Sequence, residues 1–258
     1  MVKAVPSILA QIVEQKKLEL RERAPGMDAR GETSIASRRD FARALASRRP
    51  AIIAEVKQAS PSKGTLSADY HPDRIARAYE EGGAAALSVL TDEKYFRGSL
   101  ADLESARSAV SLPLLRKDFT IDAYHVHEAA ARGADAILLI AAILTERELR
   151  DFRELAAQYQ MAALVEVHEE EELKAAAGSG ARIIGVNNRN LNTFDVDLTI
   201  SLRLAEKMPA GVLKVAESGI HSRAEVERLL DAGYQALLVG EHLMKSADPV
   251  QALRALLS

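Results

Sequence analysis

Gly133-Ala-Asp-Ala-Ile-Leu-Leu139 is the segment that most clearly indicates the fold, because its pattern recurs three more times along the 258 residues. In each copy a glycine that can end a helix is followed by a short apolar run, which indicates a helix that leads into a strand. The other copies begin at Gly83, Gly180 and Gly233. The repeat therefore predicts four helix-to-strand turns.

Four further apolar runs of strand length bring the predicted number of strands to eight. They are Ala51 to Lys57, Leu112 to Lys117, Met161 to Val167 and Val212 to Glu217. Runs that are apolar almost throughout favour parallel strands covered on both faces, since antiparallel strands alternate more cleanly with polar residues.

The segments between the strands carry helix start signals. Thr145 to Glu148 and Ser222 to Glu225 read as capping boxes, and Pro72 and Pro249 stand at the first helical position. Eight strand-helix units within about 210 residues predict an α/β protein made of a single (β/α)8 barrel, the TIM barrel. A doubly wound open sheet is the alternative fold.

Residues 1–48 precede the first predicted strand and are expected to form an N-terminal helical extension. A helix that begins near Ser7 would place its apolar positions on one side, and these are Ile8, Leu9, Ile12 and Val13. Because no linker or low-complexity segment divides the chain, we expect a single domain over residues 1–258.

The composition excludes several classes of function. With 34 Lys and Arg against 37 Asp and Glu, the formal net charge is −3, and the chain lacks the basic patch of a nucleic-acid or membrane-surface protein. The absence of cysteine excludes disulfides and thiolate chemistry. No apolar run approaches the ~20 residues that span a bilayer, and no signal peptide is recognisable. We expect a cytoplasmic protein.

Ionisable residues stand at the ends of the odd-numbered predicted strands. Inward side chains of alternate strands share a layer in an eight-stranded barrel, and the carboxyl end of the strands holds the active site. A single such charge could be a salt-bridged strand end, whereas five in one layer predict a site for proton transfer. The five residues are Glu55, Lys57, Lys117, Glu166 and Glu217.

Glycines after the last two strands predict a phosphate site. Ser218-Gly219 follows the seventh strand and Gly240 follows the eighth. Glycine lets backbone N–H groups approach an anion, and barrel enzymes often bind phosphate at these two loops. The loop Ser60-Pro-Ser-Lys-Gly64 adds hydroxyls and one lysine. Ordinary tight turns and a flexible loop are the alternative interpretation.

Two other polar features are predicted to be structural. His125 and His127 would lie on a helix, where residues two apart face different directions, so we expect no metal site there. Lys214 has the opposite strand parity to Glu217 and should point away from the barrel centre.

Eight blocks of sequence occur in a fixed order along the chain. They are Ile53-Ala-Glu-Val-Lys57, Ser60-Pro-Ser-Lys-Gly64, Val89-Leu-Thr-Asp-Glu-Lys-Tyr-Phe96, Leu115-Arg-Lys-Asp-Phe119, Leu164-Val-Glu-Val167, Gly185-Val-Asn-Asn-Arg-Asn-Leu191, Ala216-Glu-Ser-Gly-Ile220 and Leu238-Val-Gly240. In order and spacing these blocks resemble the indole-3-glycerol phosphate synthase family. The resemblance spans the barrel and includes the N-terminal helix.

The resemblance implies a carboxy-lyase of tryptophan biosynthesis that needs no cofactor and no metal. Its small phosphorylated substrate, 1-(2-carboxyphenylamino)-1-deoxyribulose 5-phosphate, closes to an indole ring with loss of carbon dioxide and water. A monomer and a weak homodimer are both compatible with the sequence.

The resemblance also implies roles for the catalytic residues. Lys117 would be the general acid of ring closure, and Glu166 would handle the proton during dehydration. Lys57, with Arg189, would hold the substrate carboxylate, and either lysine could act as the acid of the dehydration step. Three further residues would orient the lysines and the substrate hydroxyls: Glu55, Asn187 and Glu217.

Two sets of binding residues follow from the same resemblance. The phosphate would lie among Ser60, Ser218, Gly219 and Gly240. The anthranilate ring would lie among Phe96, Phe119, Leu138 and Leu191.

One departure from the family concerns the phosphate. Relatives commonly carry a basic residue in the Gln58-Ala59 stretch, which has none here, so that Lys63 or backbone groups would have to replace it. Two other functions are also compatible with these residues. One is a Schiff-base aldolase that uses Lys117 or Lys57, and the other is a non-catalytic barrel that serves as a binding scaffold.

Overall fold

Eight parallel strands close into a barrel in which each strand pairs with its neighbours in chain order and the last returns to the first. The computed structural model describes residues 7–22, 37–61, 63–67, 69–190 and 193–258. The predicted (β/α)8 barrel is confirmed, and the open sheet is excluded. The barrel strands are β1 Ala51–Val56, β2 Ala86–Leu90, β3 Leu114–Lys117, β4 Ala136–Ile140, β5 Ala162–Val167, β6 Ile183–Asn187, β7 Leu213–Glu217 and β8 Ala236–Val239.

Helices fill the segments between the strands. Within the described residues they are α1 Ser7–Glu22, α2 Phe41–Ala46, α3 Pro72–Gly82, α4 Glu93–Phe96, α5 Leu100–Ala109, α6 Ala123–Ala131, α7 Glu146–Gln158, α8 Glu170–Gly178, α9 Thr199–Ala205, α10 Arg223–Asp231, α11 Glu241–Lys245 and α12 Pro249–Leu257. The strand-helix alternation therefore places eight βα loops at the carboxyl end of the barrel.

The helix signals of the sequence form the expected contacts. Thr145 and Ser222 each complete a capping box, in which the hydroxyl and a glutamate three residues later satisfy backbone N–H groups at the helix start. Pro72 and Pro249 open α3 and α12. Gly83 ends α3 with a φ of 95°, a left-handed conformation that glycine adopts without a clash at Cβ.

Strand side chains alternate between two cores. On β1, Ile52 and Ala54 pack outward against the helices, whereas Ala51 and Ile53 fill the barrel interior. Lys214 on β7 follows the outward parity and donates a hydrogen bond to the carbonyl of Ala205 at 2.7 Å, as predicted. Because of this alternation, the last inward-facing side chain of each strand lies at the carboxyl end of the barrel.

The two helices of the N-terminal extension lie at opposite ends of the barrel. Leu9 and Ile12 of α1 are buried over the carboxyl end, where they line the cavity described below. Phe41 and Leu45 of α2 are buried beside the start of β1, at the amino end. The predicted N-terminal helix is confirmed, and one of its two described helices covers the functional end.

The segment after β1 contains a short hairpin that the sequence did not predict. Ala59–Ser60 pairs antiparallel with Gly64–Thr65, so this part of the predicted loop is regular structure. No helix among the described residues is long and apolar enough to cross a membrane.

Candidate active site

One cavity opens at the carboxyl end of the barrel, and the sequence-predicted site residues meet in it. The lining includes Glu55, Lys57, Ser60, Phe96, Lys117, Phe119, Leu138, Glu166, Asn187, Arg189, Glu217, Ser218, Gly219 and Gly240. Leu191 lies outside the described residues. The barrel thus brings together side chains from six strands and the loops that follow them.

Lys117 stands between two carboxylates in this cavity. Its Nζ lies 2.9 Å from Oε2 of Glu166 and 3.7 Å from Oε2 of Glu217. The side chains of Glu166 and Glu217 are only 3% and 2% exposed. Charges in such a dry environment interact strongly, so each group shifts the protonation of the others.

The protonation states of the three groups differ. Burial opposes the charge on Lys117, but the carboxylates of Glu166 and Glu217 outweigh it and raise the lysine pKa above its ordinary value. Burial likewise disfavours ionised Glu166, yet Lys117 and then His168 lower its pKa below the ordinary value. Burial and the Glu166 charge raise the pKa of Glu217 well above its ordinary value. The surroundings therefore favour the ammonium form of Lys117, the ionised form of Glu166 and the protonated form of Glu217.

Glu55 and Lys57 form the second charged pair. Lys57 lies one residue beyond β1 and donates a hydrogen bond to Oε1 of Glu55, which confirms that the two side chains share a face. Glu55 also contributes to the raised pKa of Lys117. The two pairs therefore belong to one electrostatic set.

Asn187 connects the charged set to the phosphate end. Its Oδ1 accepts hydrogen bonds from the backbone N–H of Arg189 at 3.1 Å and from the hydroxyl of Ser218 at 2.9 Å. A hydrogen bond from Asn187 also helps to lower the pKa of Glu166. Asn187 therefore fixes residues on two neighbouring loops and contacts a carboxylate of the site.

A glycine on β6 makes room for Glu217. Gly185 faces inward, and a Cβ built there would collide with Oε1 of Glu217. The carboxyl group of Glu217 can thus lie across β6 towards Lys117 only because position 185 has no side chain. The sequence analysis did not identify this requirement.

The loops after β7 and β8 bring backbone close to the cavity. Ser218 and Gly219 both have left-handed backbone conformations, with φ of 68° and 79°. A Cβ at Gly219 would collide with Val196, so a larger residue cannot take this place. Beside them Arg189 pairs with Glu241 at 3.4 Å, and Lys63 lies close enough to Glu241 to help lower its pKa.

Apolar side chains form the other wall of the cavity. The ring centroids of Phe96 and Phe119 lie 6.0 Å apart, and Leu138 of β4 faces the same space. The sequence analysis missed Ile8, Leu9 and Ile12 of α1 and Phe194 as members of this wall.

A buried ion cluster under α1 was also missed. Nζ of Lys16 lies 3.0 Å from both Asp92 and Asp118, and Asp118 also pairs with Arg116 at 3.1 Å. A signal was present in the sequence, because Lys16 follows Ile12 by four residues and thus stands on the apolar side of α1.

The two histidines of α6 have separate partners. Nδ1 of His125 accepts the backbone N–H of Ile121 at 3.2 Å, whereas His127 lies 2.7 Å from the hydroxyl of Tyr159. In the described part of the chain, no group of three or more His, Asp and Glu residues is arranged to hold a metal ion.

A closed (β/α)8 barrel with partly buried lysines and buried glutamates at the carboxyl end of its strands defines an enzyme of acid-base chemistry. Residues 9–256 match the family model described as indole-3-glycerol phosphate synthase. The chain belongs to this family, and it is a carboxy-lyase of tryptophan biosynthesis.

Curated relatives support the assignment over most of the chain. The indole-3-glycerol phosphate synthase of Koribacter versatilis is 54% identical and covers 80% of this chain and 80% of its own length. That of Polaromonas naphthalenivorans is 48% identical and covers 96% of this chain and 98% of its own.

A solved structure supports the fold. A mutant tryptophan synthase alpha-subunit from Pyrococcus furiosus superimposes with a TM-score of 0.61 over 81% of this chain and 98% of its own, at 17% identity. At that identity the likeness concerns the barrel alone.

Proposed function

We propose that this chain closes the indole ring with Lys117 as the general acid and Glu166 as the group that handles the proton of dehydration. The observation that carries the proposal is the 2.9 Å contact between Nζ of Lys117 and Oε2 of Glu166. It places a proton donor and a proton acceptor side by side in one buried cavity.

The raised pKa of Lys117 suits it to the first step. Its ammonium donates a hydrogen bond to the substrate carbonyl oxygen, which makes the carbonyl carbon more open to attack by the aromatic ring. A carbon–carbon bond forms as the carbonyl becomes a hydroxyl. Carbon dioxide then leaves, and the electron pair of the broken bond restores the aromatic ring.

Glu166 completes the reaction. The hydroxyl leaves as water with a proton donated by Lys57 or Lys117, and the Glu166 carboxylate takes up the proton that is released from the forming indole ring. Glu166 is ionised before this step because Lys117 and His168 lower its pKa. Glu217 and Asn187 hold the pair in place, Glu217 from β7 and Asn187 from β6.

Lys57 and Arg189 bind the substrate carboxylate. Glu55 orients Lys57 through their hydrogen bond. The guanidinium of Arg189 is held by Glu241 and by the carbonyl of Phe194 at 3.0 Å. Lys57 and Arg189 therefore bind the substrate carboxylate, and Lys117 donates its hydrogen bond to the substrate carbonyl.

The phosphate lies among Ser60, Ser218, Gly219 and Gly240, at the loops that follow the strands. Backbone N–H groups next to glycine approach an anion closely, and Lys63 supplies the basic residue that is absent from the Gln58-Ala59 stretch. Lys63 is exposed and close to Glu241, so its ammonium contacts the phosphate from the rim of the cavity.

The anthranilate ring packs between Phe96, Phe119 and Leu138, where apolar contacts favour a planar aromatic group. Leu191 is proposed for the same wall from the sequence. A single domain over residues 1–258, a cytoplasmic location, and a monomer or weak homodimer also stay predictions.

An assay with the carboxyphenylamino substrate tests the function. The chain should produce a fluorescent indole, and no product at high enzyme concentration contradicts the proposal. The aldolase alternative requires a neutral lysine amine, whereas Lys117 is held as an ammonium. Borohydride treatment in the presence of substrate should therefore trap no adduct at Lys117.

A further inference from the structure

His168 contacts the carboxylate oxygen of Glu166 that Lys117 does not use. It is the first residue after β5, two positions beyond Glu166, so its side chain returns to the same face. Nε2 of His168 lies 3.5 Å from Oε1 of Glu166, whereas Lys117 contacts Oε2. Each carboxylate oxygen thus has its own neighbour.

Glu172 fixes the ring of His168 from the far side. This residue lies in the first turn of α8 and is 6% exposed. Its Oε2 accepts the backbone N–H of His168 at 2.7 Å and lies 3.1 Å from the ring Nδ1. A carboxylate oxygen only accepts hydrogen bonds, so Nδ1 carries the hydrogen in this contact.

The tautomer fixed by Glu172 leaves Nε2 directed at Glu166. This nitrogen is buried and has no hydrogen-bond partner among the described residues. It is an acceptor in the neutral ring and a donor in the imidazolium. At 3.5 Å, Nε2 of His168 and Oε1 of Glu166 need to move only slightly closer to form a hydrogen bond. Such catalytic contacts often shorten only when substrate is bound.

We propose that His168, held by Glu172, is a positioning residue that orients Glu166 and exchanges a proton with it. The proposal rests on the role of Glu166 given above. After Glu166 has taken a proton from the substrate, Oε1–H passes it to Nε2. The carboxylate is restored, and the imidazolium charge faces Glu172. The proton then returns through Glu166 to Lys117, which gave its own proton to the substrate carbonyl, so Glu166 is ionised again and no further reactant is needed.

The local helix start does not require the imidazole. Glu172 already caps the chain through the backbone N–H of His168, a contact that any residue except proline could make. The charged groups that face the Glu166–His168 pair are Lys117 from β3, Glu217 from β7 and Glu172 from α8. If the imidazole of His168 had only a structural role, its replacement would not change the titration of these charged groups.

Two substitutions separate the contacts of His168. His168→Asn can still reach Glu172 but is too short for Glu166, whereas His168→Gln can place an N–H near Glu166 and does not titrate. We expect kcat to fall about tenfold in the asparagine variant and less in the glutamine variant, with KM within about twofold of wild type. In both variants the acid limb of the kcat profile should move to higher pH, because the charge of His168 helps to lower the pKa of Glu166.

His127→Gln is the matched control, since it removes a half-buried imidazole bonded to Tyr159 and should leave the kcat profile unchanged. Glu172→Gln alone should give part of the His168 effect. Adding it to His168→Asn should cost no further kcat, because Glu172 acts through the ring.

The proposal is overturned if a folded His168→Asn or His168→Gln variant keeps the wild-type kcat and an unshifted acid limb. It is also overturned if the losses of kcat add up in the double variant. If the asparagine variant does not fold, the glutamine variant carries the same readout. A wild-type chain without synthase activity contradicts the proposed function instead. Glu166→Gln should be inactive whichever role His168 has.

Discussion

Nζ of Lys16 on α1 lies 3.0 Å from Oδ1 of Asp118, the residue that directly follows Lys117. Asp92 accepts the same ammonium at 3.0 Å, and the lysine side chain is only 6% exposed. Burial opposes this charge, but Asp118 and Asp92 outweigh it and raise the pKa of Lys16. Helix α1, which lines the cavity together with Phe96 and Phe119, is therefore anchored next to Lys117, the proposed general acid.

Lys16→Met should release α1 from the barrel. Removing one partner of a buried ion pair costs about 3–5 kcal/mol. Here Asp92 loses the ammonium of Lys16, and Asp118 keeps only its ion pair with Arg116. The loss should appear in the free energy of unfolding by urea. KM should also rise, since Leu9 and Ile12 of the same helix line the cavity.

Lys17→Met is the control for this prediction. Lys17 is exposed on the same helix and pairs only with Glu14 in the described residues, so both quantities should stay near wild type. An unchanged KM in a destabilised Lys16→Met variant would show that α1 does not form a wall of the binding site.

Lys117→Met should lower kcat by about a hundredfold or more, the usual range for the loss of a general acid. The fold should persist, because Glu166 can bind a proton in place of the lost ammonium. Steady-state kinetics and circular dichroism measure the two effects. Lys214→Met removes a lysine on β7 that faces the helices and should keep wild-type kcat. Equal kinetics in the two variants would remove Lys117 from the acid role.

Glu217 predicts a specific pH dependence of stability. Its folded pKa lies well above the ordinary 4.5, so the native chain holds a proton that the unfolded chain has released. The resulting stabilisation is present below pH 4.5 and is lost as the pH rises through the folded pKa, by at most about 1.4 kcal/mol per pH unit.

Glu217→Gln removes this titration, since the amide resembles the protonated carboxyl group. The free energy of unfolding of the variant should rise relative to wild type as the pH increases above 4.5. Urea unfolding at a series of pH values tests this. A difference that does not vary with pH contradicts the assignment.

Lys63→Ala should weaken phosphate binding. The residue is exposed, and an exposed ionic contact contributes up to about 1 kcal/mol, so KM should rise by about fivefold at most while kcat stays unchanged. Inhibition by inorganic phosphate should weaken in parallel. Lys174→Ala, at an exposed site on α8, is the control. Unaltered inhibition by phosphate would assign the anion to backbone groups alone.

Much of the fold was predictable from local sequence. The glycine turns at Gly83 and Gly133 mark the passage from helix to strand, and the capping box at Ser222 marks a helix start. Strand parity likewise predicted that Glu55 and Lys57 share a face and that Lys214 does not. These features depend on backbone conformations within a few residues, which the sequence encodes directly.

The contacts of the site were less predictable, because they join distant parts of the chain. Lys16 was overlooked although it lies on the apolar side of α1, since its partners Asp92 and Asp118 belong to other elements. The pairing of His168 with Glu172 and the space that Gly185 leaves for Glu217 also depend on how neighbouring strands and helices pack.

Local patterns along the chain predict eight strands, their inward and outward faces, and which ionisable residues stand at the strand ends. Packing of the closed barrel is needed to place Lys117 between Glu166 and Glu217 and to shift the pKa values of these two carboxyl groups in opposite directions. The reason is physical: local sequence sets the direction of a side chain, whereas distances across a closed barrel and burial from water set the strength of its electrostatic interactions.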